Sequence, residues 1–258
     1  MEKNVLFVVE GARVESGFFK RLAGEFSLNF DIYCLGANIY SLYKKMKEME
    51  FLGNLKDVLA DIHPEQKEIL SKSFTYTYLI FDCDAHHAKK EETRAIQDII
   101  ADNFVQLEEM AAYFTDETDP TIGKLYINYP MMESFRDCDD FFDNNYENAV
   151  VKIDEINDYK QIVAGRKLCK AHVDKFTKVN FEALILQNIF KLNKISMGDW
   201  VKPNYTDYRE ESQADKILKK EKALADSHNI LSVLNTSFFM IVDYFGNKNG
   251  FYDALVLK

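Results

Sequence analysis

Two apolar runs without polar alternation stand out along the chain. The first is Val5-Leu6-Phe7-Val8-Val9, and the second ends in Tyr78-Leu79-Ile80-Phe81 within residues 76–81. Such runs mark strands buried on both faces, as in parallel sheets. After the first run, Val14, Phe18, Leu22 and Phe26 recur every four residues, which predicts a helix with one apolar face. Residues 31–36 read as a second short strand, residues 39–51 as an amphipathic helix carrying Lys44, Lys45 and Lys47, and a helical stretch continues to about Ser71. From 91 to 114 the apolar positions keep a helical period through Ile96, Ile100, Phe104, Leu107 and Phe114, until Pro120 breaks the pattern. Residues 124–129 form the next expected strand. Strand and helix thus alternate, which predicts an α/β fold with a parallel sheet covered by helices. Beyond Phe135 the pattern is mostly helical, at 169–192 and 210–231, ending in an aromatic segment before Gly246. The expected organisation is an α/β domain over 1–135 and a mostly helical accessory region over 136–258, the two sharing a core.

The chain has 258 residues, 47% of them hydrophobic, with 10 Gly and 4 Pro. That composition excludes a disordered or collagen-like chain. Acids outnumber bases by 42 to 32, so the net charge of −10 does not suit capture of nucleic acid by bulk charge. The four cysteines, Cys34, Cys83, Cys138 and Cys169, include no Cys-x-x-Cys pair, which speaks for free thiols in a reducing cytoplasm. No run of about eighteen apolar residues exists to span a membrane.

Chemistry concentrates where the strands end. Glu10 follows the first apolar run, and Asp82 and Asp84 follow the second. In open parallel sheets ligands bind beyond the carboxyl ends of the strands. Carboxylates crowded there repel one another unless a hard cation neutralises them, and an oxygen-only set suits Mg2+ or Mn2+. A strand ending in Glu-Gly, with Asp-x-Asp after a later strand, resembles the Toprim domain of topoisomerases, primases and OLD-type nucleases. Within that group, residues 9–19 (VEGARVESGFF) look like the opening of RloB-like proteins, with Glu-Gly, a second Glu and an aromatic pair. Residues 129–135 (YPMMESF) are similar to their Pro-x-x-Glu element. The Toprim subunit of the PARIS anti-phage system is a related case. The resemblance covers residues 4–135. Val14 stands where the family often has Thr, and His86 and His87 have no counterpart.

The resemblance implies a metal-dependent nuclease of anti-phage defence, controlled by a partner ATPase, acting on DNA or tRNA, with homo-oligomers possible. Glu10 would be general acid/base or metal ligand, and Asp82 and Asp84 would hold the metal. Glu15 and Glu133 would add carboxylates for a second metal or for the attacking water. Read without the family, Glu15 also suits the first turn of a helix and Glu133 a cap after Pro130. Lys89, Lys90 and Arg94 follow the acidic loop, where a phosphate backbone would enter. Zinc at His86 and His87 is disfavoured, because adjacent histidines point apart and no third lies near. Trp200, Tyr205 and Tyr208 suit either base stacking or a packed loop. A haloacid-dehalogenase-type phosphatase would carry Asp-x-Asp after its first strand, where this chain has Glu-Gly. A non-catalytic Toprim-like scaffold is the remaining alternative.

Overall fold

In a computed structural model, which describes residues 3–88, 93–247 and 250–257, the first apolar run forms strand β1, Asn4–Val9, with Val5 to Val9 fully buried. Its neighbours are β2 (Asn29–Cys34) on one side and β3 (Tyr76–Asp82) on the other, both parallel to it. Beyond β3 lies parallel β5 (Gly123–Asn128), and the two-residue β4 (Thr115–Asp116) closes that edge antiparallel to β5. The sheet order is therefore β2-β1-β3-β5-β4. This is the α/β architecture that the alternating pattern predicts.

Helices α1 (Val14–Glu25), α2 (Ile39–Glu48), α3 (Leu55–Ile62), the short α4 (Lys67–Leu70) and α5 (Ile96–Tyr113) form the crossovers. Because the chain leaves β1 in one direction for β2 and then returns past β1 to β3, right-handed connections put α1 on one face and α2 and α5 on the other. Three expectations shift. Val14, read as part of the apolar face of α1, is 60% exposed at its first position. The helix of 39–51 stops at Glu48, because Glu50 and Phe51 turn into positive φ at 52° and 54°. The helix expected from 91 starts at Ile96, its first apolar position, after exposed Thr93, Arg94 and Ala95.

The second half supplies α6 (Tyr159–Ala164), α7 (Lys178–Met197), α8 (Tyr205–Glu211), α9 (Ala214–His228), α10 (Phe239–Phe245) and the single turn α11 (Phe251–Ala254). It also holds an antiparallel pair that periodicity did not reveal, β6 (Val150–Lys152) with β7 (Ile230–Ser232). Asn229, at φ 57°, ends α9 in a left-handed turn, so the residues read as its continuation become β7. The start of α7 is delayed to Lys178, where Thr177 and Asn180 form a reciprocal capping box.

These elements complete the core of the sheet. One apolar cluster runs from Val5 to Leu255. Thr236 Oγ1 donates to Ile127 O at 2.9 Å, and Ser237 Oγ to Asn128 Oδ1 at 2.8 Å. Asp243 on α10 accepts from Lys124 Nζ at 2.5 Å and Tyr126 Oη at 2.6 Å on β5, and from Arg209 on α8 at 2.7 Å. Among the described residues no helix is long and apolar enough to cross a membrane.

Candidate active site

Neighbouring strands β1 and β3 continue to opposite sides of the sheet, and beyond the carboxyl ends of such a pair open α/β sheets place their ligand crevice. Val9 is in register with Ile80, and Asp82 with Asn128. This pairing delivers Glu10 and Asp82 to the same crevice from adjacent strands.

Glu10 is half-buried, and its Oε2 is shielded from solvent without a hydrogen-bond partner. Burial first, then the charges of Asp84 and Glu15, push its pKa up to about 7, while the Asp82 backbone N–H and Lys160 pull the other way. Asp82, the last residue of β3, is held well above the usual carboxylate range by burial and then by Asp84, Glu10, Glu133 and Glu15. Its Oδ1 lies 3.5 Å from Asn128 Nδ2. Asp84 has φ 39°, in the left-handed region that a side chain other than glycine enters at a cost. The turn is pinned by Asp84 N–H to Pro130 O at 3.3 Å and by His87 N–H to Asp84 O at 2.7 Å. Burial raises the Asp84 carboxyl although His86, Lys160 and His87 oppose it.

The two flanking acids arrive from outside the sheet. Glu15, in the first turn of α1, folds its carboxylate back over Gly11: a Cβ there would lie 3.0 Å from Glu15 Cδ and 3.1 Å from Oε1. The Glu15 carboxylate thus occupies the space that a Cβ at residue 11 would take. Glu133 sits in a 3-10 turn, Met132–Arg136, and its Oε2 is buried without a partner. Its Oε1 lies 3.3 Å from Lys160 Nζ. Lys160, on α6, is a residue that sequence reasoning missed. Burial pulls its pKa down, but Glu133, Asp82 and Asp84 together raise it. No strand-end motif surrounds it, and only the folded chain brings it to the acids.

Glu10, Glu15, Asp84 and Glu133 thus all lie within electrostatic reach of Asp82. As placed, no three His, Cys, Asp or Glu side chains among the described residues form a group that could hold a metal ion. The donor set nevertheless suits a hard cation: it is all oxygen, its members repel, and Glu10 and Glu133 each keep an orphaned buried oxygen. Nδ1 of His86 is also buried without a partner.

Lys89 and Lys90 lie outside the described residues. Arg94 is exposed and pairs with Asp102 at 2.5 Å, on the rim of a cleft between α2 and α5. Trp200 packs against Phe142 and Phe190 and donates to Asn144, and Tyr208 is buried against Phe239 and Tyr252. Those rings close the core of the second half. Compared with protein-family models, curated proteins and solved structures, the chain matches none.

Proposed function

We propose that this protein is a metal-dependent nuclease that hydrolyses phosphodiester bonds of DNA or RNA at the β1–β3 crevice. The observation that carries this reading is the convergence of Glu10, Asp82 and Asp84 at the ends of adjacent strands, flanked by Glu15, Glu133 and Lys160. Carboxyls held above their ordinary range by burial and by one another cluster at functional sites. Glu10, Asp82 and Asp84 do not form a metal-holding group as placed, and their side chains would have to draw together to hold Mg2+ or Mn2+, which would then polarise the phosphoryl oxygens and lower the pKa of water.

The chain's own groups supply the rest. Glu10, whose carboxyl burial lifts to about 7 in the metal-free chain, would serve either as a general acid/base or, ionised, as a metal ligand. Glu15 and Glu133 would orient water, and Lys160 would offer a positive charge to phosphate. By its resemblance the protein serves as an effector of anti-phage defence under a partner ATPase. The net charge of −10 agrees with weak unaided capture of nucleic acid.

The test is cleavage of single- and double-stranded DNA and of tRNA by the purified chain, alone and with Mn2+ or Mg2+, beside Glu10→Gln and Asp84→Asn. Metal-dependent cleavage lost in both variants, at unchanged melting temperature, supports the reading. Metal-independent cleavage, or activity that survives both substitutions, rejects it.

A further inference from the structure

Next to the carboxylate loop, the cleft between α2 and α5 has a volume of about 650 Å3. That is within the range of about 300–1,000 Å3 typical of small-molecule sites. Its inner wall is the acidic loop itself: His87 and Ala88 line it, three and four residues after Asp84. The His87 ring is exposed and stacks on Tyr40, with centroids 5.6 Å apart and planes 6° from parallel. Tyr40 is held by its hydroxyl, and His87 by its backbone. Tyr40 Oη donates to Cys83 O at 2.6 Å, and Asn103 Nδ2 on α5 donates to Ala85 O and His87 O at 2.8 and 2.9 Å. The stack is therefore tied by hydrogen bonds to the loop that carries Asp84.

Among the described residues, ion pairs take up the wall charges apart from that of Lys44. Arg94 pairs with Asp102 at 2.5 Å, and Lys47 with Glu109 at 2.5 Å, while Lys45 pairs with Glu48 at 3.3 Å. A near-neutral slot ending in a flat aromatic ledge does not suit a free phosphate. It suits a planar, uncharged group with a hydrogen-bonding edge. Half-buried Gln106 lines the slot with an amide, and exposed Lys44 stands at its rim.

We propose that this cleft receives one unpaired nucleobase of the substrate strand, adjacent to the scissile phosphate, stacked on the His87–Tyr40 pair. The inference rests on the nuclease reading of the neighbouring carboxylates and adds that the substrate is single-stranded at this position. Gln106 reads the base edge, and Lys44 meets the flanking phosphate. Stacking of bases on aromatic and histidine rings is the usual means by which proteins hold unpaired strands.

The experiment measures equilibrium binding of short fluorescent single strands, RNA and DNA, to the full chain. It is done in the Glu10→Gln background so that the strand stays intact, with and without His87→Ala. A series of strands carries one abasic position each. One abasic position should weaken binding about 5- to 100-fold, as loss of one stacked base does. His87→Ala should cause the same loss and make that abasic position silent, whereas His87→Tyr should restore it. Equal response in RNA and DNA identifies the base, and a response in one alone identifies that strand as the substrate. If no abasic position couples to His87, or if all positions weaken equally, the base site is wrong. Cleavage by the wild-type chain is measured in parallel. Cleavage without coupling overturns the base site alone, and coupling with cleavage that survives both Glu10→Gln and Asp84→Asn overturns the nuclease reading while the base site stands.

Discussion

The carboxylate of Glu15 lies where a Cβ on Gly11 would stand. A glycine directly after Glu10 thus leaves room for a second acid, four residues on, to reach the same crevice. Gly11→Ala should push Glu15 aside at little cost, since the obstacle is the far end of a flexible side chain. We expect a stability change below about 1 kcal/mol, but cleavage reduced as much as in Glu15→Ala. The double variant should then be no worse than either single one, the non-additivity of two residues acting as a unit. Thermal melts with single-turnover rates of the three variants check this; additive losses would separate Gly11 from Glu15.

Lys160 is a cation set against Glu133, Asp82 and Asp84. It lowers the pKa of both Glu10 and Asp84. Lys160→Met should therefore raise both carboxyls further in the metal-free chain, so their titration, followed by carboxyl NMR shifts without added metal, moves to higher pH. Lys160→Arg should largely restore the midpoints, because it keeps the charge. Midpoints that do not move in Lys160→Met would show that Lys160 acts by packing alone.

The strand ends were legible because burial on both faces leaves an unbroken apolar run, and the first acid after it must sit at the sheet's edge. Glu10, Asp82 and Asp84 were found that way. The β6–β7 pair was not legible, since three residues per strand are too few to show a period of two. Lys160 was hidden for a different reason. It lies on a six-residue helix 24 residues past Arg136, and its role depends on the contact of α6 with the 3-10 turn that holds Glu133. Asp243 likewise sits in an aromatic run that reads as plain core, yet it pairs with buried Lys124 on β5 and with Arg209 on α8.

That anchor allows a stability prediction. Lys124 is 2% exposed, and its ammonium meets Asp243 at 2.5 Å with Glu117 at 4.0 Å. Asp243→Ala would leave Lys124 buried against only the more distant acid and free the Tyr126 hydroxyl. Breaking a buried pair from one side costs about 3–5 kcal/mol, so denaturant unfolding should shift by that amount. Replacing Lys124 and Asp243 together by Met and Leu should recover most of it. A double variant no better than Asp243→Ala would mean the pair contributes more than its charge balance.

The last expectation concerns pH and Glu221, which lies inside α9 beneath β7. Its Oε2 accepts the Ser232 N–H at 2.8 Å, and its Oε1 is buried with no partner. Burial lifts its carboxyl from an ordinary 4.5 to about 8. The folded chain therefore keeps a proton that the unfolded chain releases above about 4.5, and stability from this group falls as pH rises from about 4.5 to 8, by at most about 1.4 kcal/mol per pH unit. Neighbouring Lys191 has the opposite sign. Burial lowers it to about 8, so stability from it recovers as pH rises above that value. Its ammonium donates to the carbonyls of Tyr146, Glu147 and Ala149, which hold the charged form at neutral pH. Glu221→Gln keeps the acceptor for Ser232 and exchanges one unmatched donor for another, so at pH 5 it should melt close to wild type. At pH 8 it should be the more stable chain. Urea unfolding of both proteins across pH 5–8 measures the difference, and parallel curves would show that Glu221 is ionised in the fold.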